Sequence, residues 1–282
     1  MDHSSSDYFI DHESPAEMSR LENQDRQFTK AMGGLFVERG NDFTDLRRVL
    51  DVGCGPGVWA QEVAFTSSEI EVVGIDISQS MISYAQTQAQ LQELYNISFS
   101  VMDITESLKF PDASFDFVNA RLLGFLTPAQ WFPLLQEYMR ITRPGGFIRL
   151  TETEMTRTNS PALARENAWF YKSVHLTGQS FAPDDHSLSL TVMLAPLLRK
   201  VGCKNVTVNA YGIDWSSGTE DHDGMSKDHE VWYKLIEPFF LATGVATAED
   251  LQTTYDAMRI EWDQDDFCAL HLLVSACGQK PI

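Results

Sequence analysis

Three glycines at every second position, Gly53, Gly55 and Gly57, follow the apolar run Arg48-Val49-Leu50-Asp51-Val52 and precede a helix-type run starting at Val58. Glycine lacks a Cβ and reaches positive φ, so a strand-to-helix turn of this kind lets main-chain amides come close to a ligand. A dinucleotide loop of the form G-x-G-x-x-G needs glycine at the position held here by Val58, which argues against a pyrophosphate. The acid Asp51, just before the loop, suits a ligand whose near end carries an ammonium group. Asp76 lies 19 residues beyond Gly57, at the end of the next apolar run, where a carboxylate can accept bonds from both ribose hydroxyls. Taken singly, the glycines also describe a tight turn without a ligand, and Asp76 a strand-end cap. Together they specify a nucleoside with a cationic tail.

The elements that must position these residues alternate. Glu71 to Asp76 reads as a second strand, and Ser78 as the N-cap of a helix from Gln79 to about Leu94. Ile97 to Met102 and Phe115 to Ala120 are the third and fourth strands. A helix opened by Thr127-Pro128 stops at Arg143-Pro144-Gly145-Gly146, which launches Phe147 to Thr151 as the fifth. Short β-type runs separated by helical periodicity imply a parallel sheet flanked by helices. The rhythm then breaks: a helix over Pro161 to Leu176 belongs to an insertion, Leu190 to Val201 is a helix, and Asn205 to Tyr211 is strand six. A second insertion carries helices near Asp228 to Thr243 and Thr247 to Trp262, before Phe267 to Ser275 closes the chain as strand seven.

Val49-Leu50-Asp51-Val52-Gly53-Cys54-Gly55-Pro56-Gly57 and Val73-Gly74-Ile75-Asp76-Ile77-Ser78 resemble the first two motifs of the class I S-adenosylmethionine-dependent methyltransferase family, small-molecule type. Met102-Asp103-Ile104 is similar to its adenine-contacting position, Phe115 to Ala120 to its fourth motif, and Leu135 to Gly146 to the helix and turn before strand five. The resemblance covers roughly residues 45 to 155 and the last two strands. It implies an α/β, Rossmann-like fold with a seven-stranded, mostly parallel sheet of order 3-2-1-4-5-7-6, strand seven antiparallel, and helical insertions forming a cap. It also implies S-adenosyl-L-methionine as cofactor, held by Asp51, Gly53, Cys54, Gly55, Gly57, Asp76, Ile77, Met81, Met102, Asp103, Ile104, Asn119 and Arg121. Asp103 would bond the exocyclic amine of adenine. The expected organisation is an acidic tail and lid helix over 1–44, and a methyltransferase domain over 45–282 with cap insertions at about 155–190 and 215–265.

A methyl group on a sulfonium is already activated, so the protein mainly has to align a nucleophile and exclude water. For an oxygen or carbon nucleophile a general base helps, and the candidates are Glu152 and Glu154 after strand five and His175 and His186 in the insertion. His175 and Glu152 are the catalytic expectation; the plainer reading is a packed helix residue for the first and solvated surface for the second. Asn119-Ala120-Arg121-Leu122 stands where amino-targeting nucleic-acid methyltransferases of the family carry an N/D-P-P-Y/F motif, which this chain lacks. Trp169, Phe170, Tyr171, Phe181, Trp215, Trp232, Tyr233, Phe239 and Phe240 either line a pocket over the methyl group or form the cap's own core. Tyr8, Phe9, Gln27 and Phe28 are expected in a segment closing over the cofactor. Asp221-His222-Asp223 with Asp228-His229 has no standard metal spacing and reads as a solvated acidic loop, so no metal is expected.

The 40 Asp and Glu against 21 Lys and Arg leave a formal charge of -19, which repels a phosphate backbone and disfavours DNA and RNA as substrates. With 282 residues, 43% of them apolar, the chain can bury a large core without disulfides, and Cys54, Cys203, Cys268 and Cys277 show no C-x-x-C pairing. No apolar run approaches a membrane span and the first 20 residues lack a signal-type core, so a cytoplasmic protein acting on a small molecule, with no membrane partner, is expected. Two other readings stay open: a nicotinamide-dependent oxidoreductase on a related sheet, and a non-catalytic module that keeps the cofactor fold.

Overall fold

The computed structural model describes residue 10 and residues 14–282. In chain order the elements are α1 (Pro15–Met32), a 3-10 turn (Val37–Arg39), β1 (Arg48–Val52), α2 (Val58–Thr66), β2 (Glu71–Asp76), α3 (Gln79–Leu91), β3 (Ile97–Val101), β4 (Phe115–Arg121) and α4 (Pro128–Ile141). There follow β5 (Thr142–Thr153), β6 (Arg157–Thr158), α5 (Pro161–Leu176), α6 (Leu190–Lys200), β7 (Lys204–Asp214), α7 (His222–Thr243), α8 (Ala248–Trp262) and β8 (Ala269–Gln279).

Helix starts follow local chemistry. The Ser78 hydroxyl accepts the Met81 amide of α3 at 3.2 Å, and Ser160 accepts that of Leu163 in α5 at 3.1 Å, ahead of Pro161 at the first helical position. β1 to β5 pair in parallel in the order β3-β2-β1-β4-β5, and β8 runs antiparallel between β5 and β7. The seven long strands thus take the expected order, with β7 and β8 as the sixth and seventh. The two-residue β6 is additional and pairs with Leu270 and Ala269 of β8 beyond the end of β5.

One apolar cluster lies on the α2 and α3 face of the sheet, around Trp59, Val63, Ile82 and Phe117. A larger one gathers α4 and α6 and continues into the cap, with Trp131, Leu134, Trp215, Tyr233 and Phe240 fully or nearly fully buried. Each such side chain contributes about 1.5–3 kcal/mol on burial, so the cap is held by its own core. In it α5 packs on α7 and α8, and α7 packs on α1.

Two boundaries move for physical reasons. β5 begins five residues earlier than its apolar run, because Thr142 pairs with Phe115 across a register shift and the Arg143-Pro144-Gly145-Gly146 turn is drawn into the ladder. α7 begins at His222, so the acidic stretch expected as a loop is helical: Asp221 stands at its N-terminal cap position and Asp223 in its first turn. No group of His, Cys, Asp or Glu among the described residues is arranged to hold a metal, and no helix among them is long and apolar enough to cross a membrane.

Candidate active site

A cavity of about 370 Å³ opens at the carboxyl ends of β1, β2, β4 and β5, where an open α/β sheet reverses its strand order, and is roofed by α1, α5 and α7. On its sheet side the wall is largely main chain. Gly53, Gly55 and Gly57 all have left-handed φ, at 66°, 52° and 78°. A Cβ on Gly53 would sit 2.8 Å from Leu123 Cδ2, and one on Gly57 2.6 Å from the Phe99 ring, so close approach as well as conformation demands glycine at both. Asp76 ties this loop to β2: its Oδ2 accepts the Gly55 amide at 2.8 Å and its Oδ1 the Ser78 amide at 2.9 Å. Asp103 is fixed by the Thr105 amide and hydroxyl, at 2.8 and 2.7 Å.

Of the residues expected around a cofactor, Asp51, Gly53, Cys54, Gly55, Asp76, Ile77, Met81, Asp103, Ile104 and Arg121 line the cavity. Gly57, Met102 and Asn119 do not. Gly57 caps α2, and Met102 gives its amide to the Asp76 carbonyl. Asn119 is fully buried behind Asp51: its Nδ2 donates to Asp51 Oδ1 at 2.7 Å, and its Oδ1 accepts from Arg149 Nε at 2.8 Å. Burial pushes the Asp51 carboxyl up to about 7, against the pull of the Arg121 guanidinium.

Arg121 does not point freely at a ligand. It forms an ion pair with Asp25 of α1 and donates to Thr29 Oγ1 at 3.1 Å, while the other Asp25 oxygen accepts the Trp59 amide at 2.8 Å. One aspartate thus fastens α1 to the end of β4 and the start of α2. It was not legible beforehand; the only hint is that Arg20, Gln24 and Phe28, which line the same cavity, recur at helical spacing beside it.

The cap side is walled by side chains. Glu152 lines the cavity almost completely buried, and its Oε1 accepts the Leu123 amide at 2.6 Å. Burial raises its carboxyl to about 8, with the Leu123 and Gly124 amides pulling it down. Those amides belong to a turn started by Leu122, a non-glycine residue at φ 58°. Glu154 accepts the Leu188 amide and the Thr191 hydroxyl, each at 3.1 Å. His175 is exposed on α5 and absent from the cavity lining, because that helix turns Phe170 and Tyr171 inward and His175 outward, so the expectation of a catalytic His175 is corrected. His186 is exposed beside Asp185.

The histidines in the wall are His229 and His271. His271 stacks on Phe28 with ring centres 5.5 Å apart. Its Nε2 lies 2.8 Å from Thr153 Oγ1, whose proton goes to the main-chain carbonyls of Glu154 and Leu272, so Nε2 donates; Nδ1 accepts from Thr156 Oγ1 at 3.1 Å. Burial lowers this imidazole to about 4, so it is neutral at pH 7. His229 Nε2 lies 2.7 Å from Glu166 Oε2, with Glu166 wholly buried. Of the expected aromatics, Phe170, Tyr171 and Trp232 line the cavity, Trp215, Tyr233 and Phe240 form the cap core, and Trp169, Phe181 and Phe239 pack against it. Phe28 lines the cavity, Gln27 does not, and Tyr8 and Phe9 lie outside the described residues.

This sheet, with its glycine turn and acid-ended second strand, is that of the class I methyltransferases. Residues 49–146 match the family model described as a methyltransferase domain. It is 33% identical over 147 residues to 27-O-demethylrifamycin SV methyltransferase of Amycolatopsis mediterranei (strain S699), covering 52% of this chain and 50% of that one. It is 33% identical over 108 residues to demethylmenaquinone methyltransferase of Geobacillus kaustophilus (strain HTA426), covering 38% and 45%. The chain thus spans about half the length of these relatives. The solved structure of phosphoethanolamine N-methyltransferase 2 from Haemonchus contortus, in complex with S-adenosyl-L-methionine, shares the fold with a TM-score of 0.56 at 16% identity, covering 100% of this chain and 62% of that one.

Proposed function

We propose that this chain transfers the methyl group of S-adenosyl-L-methionine to a small-molecule acceptor and releases S-adenosylhomocysteine. The observation that carries the reading is a single cavity whose sheet side holds the glycine loop, Asp51, Asp76 and Asp103, and whose cap side sets aromatic rings, Phe170, Tyr171 and Trp232, among buried polar side chains. The donor set fits that cofactor. A buried carboxyl held near 7 gains a counter-ion from the ammonium of a methionine end. Asp76 stands where ribose hydroxyls are held and Asp103 where an exocyclic amine is met, and the amides of the loop approach without a Cβ in the way. When bound, the sulfonium supplies an activated methyl; α1 and the two insertions supply the lid and cap that exclude water and align the acceptor. The names of the relatives, which give 27-O-demethylrifamycin SV, demethylmenaquinone and phosphoethanolamine as what they methylate, support a small molecule, and the net charge of -19 disfavours nucleic acid.

Calorimetry of the full chain with S-adenosyl-L-methionine tests the reading. Micromolar binding that Asp76→Ala weakens, together with S-adenosylhomocysteine formation on an acceptor panel, is expected. A folded wild type that binds none of the cofactor would sink it.

A further inference from the structure

We infer that His229, oriented by Glu166, is the general base of the transfer, and that the acceptor is therefore a flat aromatic hydroxyl. This rests on the methyl-transfer reading above.

The titratable groups around the cap side are nearly all committed to other partners. Glu152 accepts main-chain amides, Glu154 holds Leu188 and Thr191, and both nitrogens of His271 are taken by threonine hydroxyls. Asp228 pairs through Oδ2 with Arg20, which Glu17 grips through two bonds of 2.7 and 2.8 Å, and its Oδ1 is buried away from solvent without a hydrogen-bond partner. His229 differs. One ring nitrogen meets the buried Glu166, and among the described residues no hydrogen-bonding partner reaches the other. With the Glu166 carboxylate as acceptor, Nε2 carries the proton and Nδ1 is basic. A buried carboxylate behind an imidazole that lines a cavity both fixes the tautomer and stabilises the imidazolium formed when a proton is taken.

The wall selects the acceptor. Trp232 packs edge-on to Phe170 at 5.8 Å and lies 5.2 Å from the His229 ring, making an apolar, planar surround. Both arginines of the lining, Arg20 and Arg121, are already matched by carboxylates, so an anionic acceptor finds no uncommitted cation there. A neutral amine attacks with its lone pair and needs no base beforehand, whereas a hydroxyl does. A phenol, with a pKa near ~10 like tyrosine, is within reach of an imidazole in a way an alkyl alcohol is not. In the step, the acceptor O–H bond breaks and its proton passes to His229 Nδ1 while the oxygen forms a bond to the methyl carbon. The carbon–sulfur bond breaks, its electron pair stays on sulfur, and S-adenosylhomocysteine and the methyl ether leave.

The groups facing His229 are Glu166 from α5, Asp228 on its own helix with Arg20 and Glu17 of α1 behind it, and His271 from β8. The test supplies the full chain and S-adenosyl-L-methionine with 2-naphthol, catechol and 4-nitrophenol, and in parallel with aniline and benzylamine. Methylation of phenols over amines is expected. His229→Gln should lower kcat/KM about 10²–10⁴-fold, remove the acid limb of the pH profile and leave cofactor affinity by calorimetry within about twofold. Glu166→Gln should shift that limb, which a merely structural role would not do, and His175→Gln should match the wild type. Nitrogen-15 spectra of the imidazoles should show the Nε2-protonated tautomer at His229. Transfer to amines only, no phenol methylated, undiminished turnover by His229→Gln, or a proton on Nδ1 would each overturn the assignment. Failure of the wild type to bind cofactor would instead overturn the reading it rests on.

Discussion

Along β1 and β2 the cavity wall is main chain held by carboxylates, whereas along α5 and α7 it is side chains held by one another. In the first region, Gly53 and Gly55 bring the backbone to the surface and Asp76 pins it by accepting hydrogen bonds from the Gly55 and Ser78 amides. In the second, the Glu166–His229 pair and the Phe170–Trp232 ring contact depend on residues far apart in the chain. A wall of the first kind has little freedom to change its ligand, because its shape is a turn. A wall of the second kind can be refitted by single substitutions while the fold persists.

The largest expected separation of the two comes from Asp76→Ala. It leaves the Gly55 and Ser78 amides without their charged acceptor and removes the proposed ribose contact, so cofactor affinity should fall about 100-fold, roughly 3 kcal/mol, by calorimetry. Gly53→Ala places a methyl against Leu123 and a side chain in left-handed backbone. About a tenfold loss of affinity and a lower melting temperature, from roughly 1–3 kcal/mol of strain, are expected by calorimetry and thermal melts.

Asp51 then gives a pH signature. Below about 7 its carboxyl is protonated and attracts an ammonium less, so cofactor affinity should rise from pH 6 to 8, by at most about tenfold per unit, and Asp51→Asn should flatten the curve. For the free protein the sign is opposite. A carboxyl raised on folding favours the folded state below its ordinary value of 3.8, and that advantage is lost as pH rises through about 7. Urea melts at pH 5 and 8 should show the wild type losing stability relative to Asp51→Asn. The smallest effect belongs to His175→Gln, which should change neither affinity nor turnover, since His175 is exposed away from the cavity.

What could be read from the chain beforehand divides along the same line. The glycine turn and Asp76 are local, each marked by its place at a strand end, and their positions follow from period and spacing, whereas Asp103 was reached through the resemblance. His271 was hidden inside an apolar strand run, and its partners Thr153 and Thr156 lie more than a hundred residues away. Glu166 and His229 are 63 apart on two helices of different insertions, a pairing that no periodicity encodes. The start of α7 was concealed because Asp221-His222-Asp223-Gly224 is rich in turn-forming residues. Gly224 is nonetheless helical, and a Cβ there would meet Gln27 Nε2 at 2.7 Å, so α7 approaches α1 closely where a loop was expected.

Asp25 carries a kinetic consequence. Because it joins α1 both to Arg121 and to the Trp59 amide, the helix that roofs the cavity cannot lift without parting an ion pair. Entry and exit of the cofactor then share one electrostatic latch. Its opening should quicken as salt screens the pair, so release of S-adenosylhomocysteine in stopped flow should accelerate with ionic strength, and in Asp25→Asn should be fast and nearly indifferent to salt.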